Sequence, residues 1–147
     1  MGENNIVDGL RAALGHADPD SEWWWTALQA GQLLLPACTS CKKLFLPPMA
    51  RCPHCGSAGF EVLTASGRGS IYSWVVLNHA FDPVFAADTG VIVAAIDLEE
   101  GPRILARLSS KATPVPGARV RAVHCIVNGV VVPGFDQLDA SEATKGD

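Results

Sequence analysis

Residues 38–55 read CTSCKKLFLPPMARCPHC, and this stretch decides how the middle of the chain folds. It holds two cysteine pairs with two intervening residues each, and ten residues separate the pairs. A turn of this spacing aims two sulfur atoms at one centre, and two such turns complete a tetrahedral metal site. Since four protein ligands leave no open coordination position, we expect one structural zinc ion per chain and no metal catalysis. The predicted ligands are Cys38, Cys41, Cys52 and Cys55.

Other side chains near these turns have less specific interpretations. His54 lies inside the second turn, where we expect its side chain to point away from the metal. The basic residues Lys42, Lys43 and Arg51 offset the negative charge of a zinc ion with four thiolates. A redox dithiol is the alternative use of the paired cysteines. The fifth cysteine, Cys125, lies in an apolar stretch and is interpreted as a buried bystander.

Short strand patterns surround the cysteine turns and fill the rest of the chain. Leu33–Leu35 leads into the first turn, Leu44–Leu46 leads out of it, and Phe60–Leu63 follows the second turn, as in a zinc ribbon. From Gly67 onward, five short strands separated by turn residues indicate a small closed barrel, for which the OB-fold is the predicted type. These strands are Ser70–Leu77, Val91–Leu98, Arg103–Leu108, Arg119–Val127 and Val130–Val132.

Helical patterns precede the ribbon. Apolar residues at helical spacing predict one helix within residues 1–17. Asp18 is the predicted N-cap of a second helix, which begins at Pro19 and runs to about Gln29. The second helix carries three consecutive tryptophans, which cover about 200° of the helical wheel at roughly 100° per residue. Either the helix is enclosed by the protein or part of this aromatic surface contacts a partner, and we favour the partner. The predicted partner-binding residues are Trp23, Trp24 and Trp25, with Phe81 and Phe85 from the loop after the first barrel strand.

The predicted fold class is mainly β with N-terminal helices, in which a rubredoxin-like zinc ribbon precedes a five-stranded OB-fold barrel. The expected segments are helices over residues 1–32, the zinc ribbon over 33–65, the barrel over 66–137 and a flexible tail over 138–147.

Charge and composition exclude several classes of protein. The 147 residues include 15 acidic and 11 basic ones, and a net charge of −4 argues against a protein that mainly coats nucleic acid. No apolar run approaches the roughly 20 residues of a membrane span, and no leader pattern is visible, so we expect a cytoplasmic protein. Four arginines between residues 101 and 121 either pair with acids on adjacent strands or contact phosphate groups or an acidic patch on a partner. They are Arg103, Arg107, Arg119 and Arg121.

Motifs of catalysis are absent from the sequence. It contains no G-x-S-x-G, no phosphate loop of Walker type and no H-E-x-x-H. A hydrolase or acyltransferase that uses Cys125 or His79 is therefore the weakest hypothesis. A module that binds single-stranded nucleic acid is the stronger alternative, because alternation places Tyr72 and Trp74 on one strand face, as in a stacking platform.

The ordered set of motifs resembles the DUF35 family of zinc-ribbon and OB-fold proteins. The resemblance covers nearly the whole chain and departs from the family mainly in residues 1–17, which are either a linker remnant or a docking arm. It rests on the tryptophan helix ending at Gly31, the C-x2-C-K motif with Pro47-Pro48, Cys52-Pro53-His54-Cys55-Gly56-Ser57, residues 66–74 (SGRGSIYSW), Glu100-Gly101-Pro102-Arg103 and Pro133-Gly134-Phe135.

This resemblance implies a partner role. Members of the family bind thiolase-like enzymes that act on acyl-CoA, among them thiolases, acyltransferases and the retro-aldol aldolases of steroid side-chain degradation. A similar domain is also found fused to hydratases of the MaoC type. The resemblance therefore implies a non-catalytic accessory subunit, expected in a hetero-oligomer, that stabilises or activates such an enzyme and meets acyl-CoA indirectly. Candidates for a contact with the CoA phosphates are Arg103, Arg107, Arg119 and Arg121.

Overall fold

The computed structural model of the protein describes residues 19–79, 90–109, 113–127 and 129–143. The predicted first helix and the partner-binding candidates Phe81 and Phe85 lie outside these ranges. The described chain contains helix α1 and, after it, nine strands and a short second helix. Their bounds are α1 Glu22–Gln29, β1 Leu34–Cys38, β2 Phe60–Thr64, β3 Arg68–Leu77, β4 Val91–Leu98, β5 Arg103–Leu108, β6 Arg119–Ala122, β7 Cys125–Val127, β8 Val130–Val132, β9 Gly134–Gln137 and α2 Ala140–Ala143.

Helix α1 begins later than the sequence predicts. The predicted first helical position, Pro19, is wrong, because residues 19–21 form a turn. The carbonyl of Ser21 accepts the backbone N–H groups of Trp24 at 3.0 Å and Trp25 at 3.2 Å, and the predicted N-cap Asp18 lies outside the described residues. The preceding carbonyl, of Asp20, is taken by the indole N–H of Trp23 at 2.9 Å. The predicted end is confirmed. The helix stops at Gln29, and Gly31 follows with a φ of 83°.

A two-stranded ribbon follows the helix. Strand β1 pairs antiparallel with β2, with Leu35 opposite Leu63, and the two cysteine turns lie between these strands. Phe60–Leu63 is thus confirmed as a strand. Leu44–Leu46 contributes only an isolated bridge, between Leu44 and Ala37.

The barrel has five strands in the closed order β3-β4-β5-β9-β6. Its pairs are antiparallel except for β5 and β9, which run parallel and close the barrel through Leu108 and Phe135. If the barrel strands are numbered along the chain, the order is 1-2-3-5-4, the closed Greek-key arrangement of an OB-fold. The predicted fold class is confirmed.

The fifth barrel strand is not the predicted one. Val130–Val132 pairs only with Cys125–Val127, and this hairpin forms a separate two-stranded sheet. The predicted single strand Arg119–Val127 therefore ends at Ala122, and Gly134–Gln137 supplies the fifth barrel strand. The hairpin packs against α1, where the Gln29 side chain forms hydrogen bonds of 2.9 Å with both the N–H and the C=O of Val131.

A β-bulge in β3 changes which side chains enter the barrel. The register against β4 shifts between Ile71 and Ser73, so Ile71 lies opposite Ile96 and Trp74 lies opposite Ala94. Both strand-β4 partners are fully buried, and Trp74 packs against the main core. Tyr72, at the bulge, is 59% exposed. The expected shared face of Tyr72 and Trp74 is wrong, because the extra residue reverses the alternation beyond it.

The main core fills the barrel and extends under α1. Phe135 from β9 is its largest fully buried side chain, and Trp24 and Leu28 join it from the helix. A second, smaller cluster of Cys38, Phe45 and Cys52 lies beneath the cysteine turns. No helix within the described ranges is both long enough and apolar enough to cross a membrane.

Candidate metal centre and contact surfaces

The two cysteine turns have the same backbone construction. In the first, the N–H of Lys42 donates to the carbonyl of Cys38 at 2.9 Å, and in the second the N–H of Gly56 donates to the carbonyl of Cys52 at 2.8 Å. Each turn ends in a left-handed residue, Lys42 with a φ of 63° and Gly56 with a φ of 79°. Gly56 was a predictable position for this conformation, whereas Lys42 carries no sequence signal for it.

Backbone donors already point at two of the sulfur atoms. The N–H of Cys41 lies 3.5 Å from the Sγ of Cys38, and the N–H of His54 lies 3.4 Å from the Sγ of Cys52. Such N–H···S contacts stabilise thiolates, because they place partial positive charge against the sulfur. Because the two turns have the same construction, each contributes two sulfur atoms in the same way to one common centre.

The four Sγ atoms lie within 4.8 Å of one another. The separations are 3.5 Å between Cys38 and Cys55 and 3.7 Å between Cys41 and Cys52. A tetrahedral zinc site with Zn–S bonds of about 2.3 Å has sulfurs about 3.8 Å apart. The donor set and its geometry therefore fit zinc, and all four predicted ligands converge. His54 is exposed and outside this group.

The surroundings of the thiols shift the pKa values of Cys55 and Cys41 in opposite directions. Hydrogen bonds from the backbone and hydroxyl of Ser57 lower the pKa of Cys55 to about 6. For Cys41, a backbone hydrogen bond from Lys43 lowers the pKa, but burial and the three neighbouring thiols together raise it to about 11. Four adjacent thiolates repel one another, so full deprotonation of this cluster requires a bound cation.

The tryptophans of α1 differ in their surroundings. Trp24 is only 4% exposed, and its indole N–H donates to the carbonyl of Leu34 at 2.8 Å. Trp23 is half-buried and stacks on Phe60 with ring centroids 5.4 Å apart, and Trp25 is half-buried and meets Trp24 edge to face at 4.9 Å. The helix is therefore covered on more sides than the sequence suggested, and Trp24 offers almost no surface to a partner.

Two of the four candidate arginines pair within the barrel. Arg103 donates to Asp97 directly across β4 and β5 at 2.6 Å and lies over the ring of Tyr72, 3.6 Å from its centroid. This carboxylate raises the pKa of the Arg103 guanidinium. Arg119 pairs with Glu99. The expected pairing of arginines with acids of the barrel is therefore found at these two positions.

The remaining arginines lie elsewhere on the barrel. Arg107 is half-buried and engaged in an interaction of its own. Arg121 lies opposite Arg68 on β3 and opposite Asp136 on β9. The expected contact of these arginines with phosphate groups stays a prediction.

An apolar groove is the main feature that sequence reasoning missed. It has a volume of about 490 Å³ and lies between α1, the segment after the first cysteine turn and strand β5. Met49 is 41% exposed and Leu105 is 70% exposed at its edge, and Trp25 forms part of its wall. The sequence gives little indication of this groove, because its lining side chains come from parts of the chain that are distant in sequence.

The comparisons with known proteins agree with this architecture. Residues 25–61 match the family model of the ChsH2 rubredoxin-like zinc ribbon domain, and residues 63–124 match that of the ChsH2 C-terminal OB-fold domain. A chain of the solved Ltp2-ChsH2(DUF35) aldolase is 30% identical, with a TM-score of 0.72, over 82% of this chain and 95% of that one. The chain belongs to the DUF35 family.

Relatives of this DUF35 protein include two kinds of curated protein. A probable enoyl-CoA hydratase alpha subunit of Thermomonospora curvata is 36% identical over 60% of this chain and 27% of its own length. A DUF35 domain-containing scaffold protein of Methanocaldococcus jannaschii is 32% identical over 48% of this chain and 50% of its own length. A second such scaffold protein, of Pyrococcus furiosus, is 30% identical over 60% of this chain. The chain spans from about a quarter to under two thirds of these relatives.

A further solved structure shares the fold. A DUF35 protein of unknown function from Sulfolobus solfataricus superposes with a TM-score of 0.63 over 91% of this chain. The identity is 13%, so this likeness concerns the fold alone.

Proposed function

We propose that this DUF35 protein is a non-catalytic accessory subunit of a thiolase-like enzyme that acts on acyl-CoA. The observation that carries the proposal is its likeness to a chain of the Ltp2-ChsH2(DUF35) aldolase over 95% of that chain's length. We therefore favour a retro-aldol aldolase as the partner, as in steroid side-chain degradation. The two scaffold proteins among the relatives support a role in assembly.

The proposed non-catalytic role agrees with the chemistry of the described residues. Four thiolates around zinc leave no open coordination position for substrate or water. Cys125 is buried, with its Cβ against the backbone of Gly134, while His124 beside it is exposed. His124 is therefore not placed to act as the base that would activate Cys125 as a nucleophile.

Zinc has a structural role in this proposal. The cluster under the cysteine turns contains only Cys38, Phe45 and Cys52 as fully buried members, with Phe60 packed against it. So small a core cannot hold the loop between β1 and β2 in place, and metal binding supplies the missing folding free energy. The zinc turns then fix the segment that forms one wall of the apolar groove.

We place the partner contact on the side of α1, through the half-buried rings of Trp23 and Trp25. Phe81 and Phe85, outside the described residues, remain candidates for a further part of the contact. Trp24 belongs to the core and is left out. The exposed end of β3, at Val75 and Leu77, leads towards the segment that holds the two phenylalanines and adds apolar surface there. Aromatic side chains at such positions dominate binding when a partner desolvates them.

A hydratase partner has less support. The hydratase relative is matched over only 27% of its length, whereas the chain from the aldolase structure is matched over 95%. The nucleic-acid alternative loses its motivating feature, because Tyr72 lies outside the barrel under Arg103 and Trp74 packs inside it.

The proposed contact is tested by affinity for an Ltp2-type aldolase from the same organism, measured by calorimetry. Trp25→Ala should weaken binding by about 2 kcal/mol, roughly thirty-fold, while the isolated variant keeps its fold. Val115→Ala is the matched control, because Val115 is exposed and does not line the groove beside α1. Wild-type affinity in the Trp25 variant would exclude this surface, and absence of binding by the wild type would refute the proposed function.

A further inference from the structure

The apolar groove beside α1 lies next to the point where the described chain begins. Ser21, Trp24 and Trp25 line it from the helix, Pro47 and Met49 from the ribbon, and Leu105 from the barrel. Its lining is mostly apolar, and the two edge side chains Met49 and Leu105 are exposed. A surface of this kind is normally covered in a soluble protein.

The chain before Ser21 has the chemistry to cover it. Ile6, Leu10 and Leu14 recur at helical spacing, so in a helix they would share one apolar face with Ala13. Asp8 and Ala12 would then lie on the opposite face. Burying these three side chains together with the exposed groove side chains Met49 and Leu105 can balance the cost of ordering nine residues, so the contact should form and remain reversible.

The length of chain permits the contact. Leu14 precedes Ser21 by seven residues, which span at most about 25 Å when fully extended. Because Ser21 itself lines the groove, the apolar face is tethered beside its binding site. A short tether of this kind gives a local concentration on the order of millimolar, so even weak apolar contacts are populated.

We propose that residues 6–14 bind in this groove in the isolated chain, with Ile6, Leu10 and Leu14 directed at Trp25, Met49 and Leu105. The N-terminal segment then acts as an intramolecular cover for an apolar surface. A partner that uses Trp25 would displace it, and this second step alone rests on the proposed function.

The test is hydrogen–deuterium exchange on the full-length isolated chain, without any partner. We expect the amides of residues 6–14 to exchange at least ten-fold more slowly than in a peptide of the same sequence. Leu10→Asp should abolish this protection, and the matched control Ala12→Asp, which adds the same charge to the opposite face, should retain it.

A variant of the groove provides the second arm. Leu105→Asp should abolish the protection of residues 6–14 as well. Because Leu105 is 70% exposed, the variant should keep its bound zinc and its unfolding temperature. Unprotected amides in the wild type, or protection that survives Leu105→Asp, would overturn the proposal. Protection that depends on protein concentration would also overturn it, since the occupant would then be a second copy of the chain.

Discussion

Gly134 begins the strand that closes the barrel, and we expect its replacement by alanine to be strongly destabilising. A Cβ built at Gly134 lies 2.4 Å from the Cβ of Cys125 and 3.2 Å from its Sγ. Two carbon atoms in contact are normally about 3.8 Å apart, so the strands would have to separate by more than about 1 Å. Rotation of the Cys125 side chain cannot relieve the clash, because the Cβ position is fixed by the backbone.

The backbone around Gly134 cannot move freely either. Its carbonyl accepts the N–H of Val123 at 3.0 Å, and it lies opposite Arg107 in the parallel pair that closes the barrel. Overpacking at such a site costs about 3 kcal/mol, which for a chain of this size lowers the unfolding temperature by roughly 6–12 °C. Urea unfolding followed by tryptophan fluorescence, with thermal unfolding beside it, measures both quantities.

Two further variants identify the clash as the cause. Cys125→Gly removes the colliding atom, so the double variant Gly134→Ala, Cys125→Gly should be more stable than the sum of the single costs by at least about 1 kcal/mol. Gly59→Ala is the matched control, because its new Cβ meets only the rotatable hydroxyl of Thr39, at 2.7 Å. Additive costs, or a Gly134→Ala variant within about 0.5 kcal/mol of the wild type, would refute this reasoning.

Two other predictions concern the helix and the metal. Gln29→Ala removes two hydrogen bonds to Val131 and should lower the free energy of unfolding, measured in urea, by about 1–2 kcal/mol. Gln32→Ala is the control, because Gln32 is exposed after the helix, and it should change this free energy by less than about 0.5 kcal/mol. Equal effects of the two substitutions would contradict the role of Gln29. Metal analysis should give one zinc per wild-type chain, and Cys38→Ser should lose zinc and at least several kcal/mol of stability. Full zinc retention by Cys38→Ser would contradict its assignment as a ligand.

Much of this fold was predictable because the decisive signals are local. The cysteine spacing determines two turns within short stretches of chain, and the strands Val91–Leu98 and Arg103–Leu108 have the predicted bounds. Glu100-Gly101 lies in the turn between them, and Gly101 has a φ of 116°. Each of these features depends on residues that are close in sequence.

The errors arose where distant parts of the chain compete. Val130–Val132 has a strand pattern, but the barrel takes Gly134–Gln137 as its fifth strand because only that strand reaches β5 and β6 together. The bulge at Tyr72 follows from pairing with β4 and has no local signal. The burial of Trp24 likewise depends on the carbonyl of Leu34, ten residues away.

The candidate sites divide in the same way. The four cysteines are identified by spacing alone and converge in the structure. Contact surfaces depend on tertiary packing, so the apolar groove around Leu105 was not visible in the sequence. For the same reason, the sequence did not show that the candidate phosphate ligands Arg103 and Arg119 form ion pairs with Asp97 and Glu99.

The most direct test of the accessory-subunit role is the rate of carbon–carbon cleavage of an acyl-CoA substrate by the purified thiolase-like partner, with and without this chain. The proposed role predicts a partner that is weakly active or insoluble alone and a rate that rises saturably as the chain is added. The chain alone should have no activity. Turnover by the chain without its partner, or a soluble partner whose rate is unchanged by saturating amounts of the chain, would contradict the central claim.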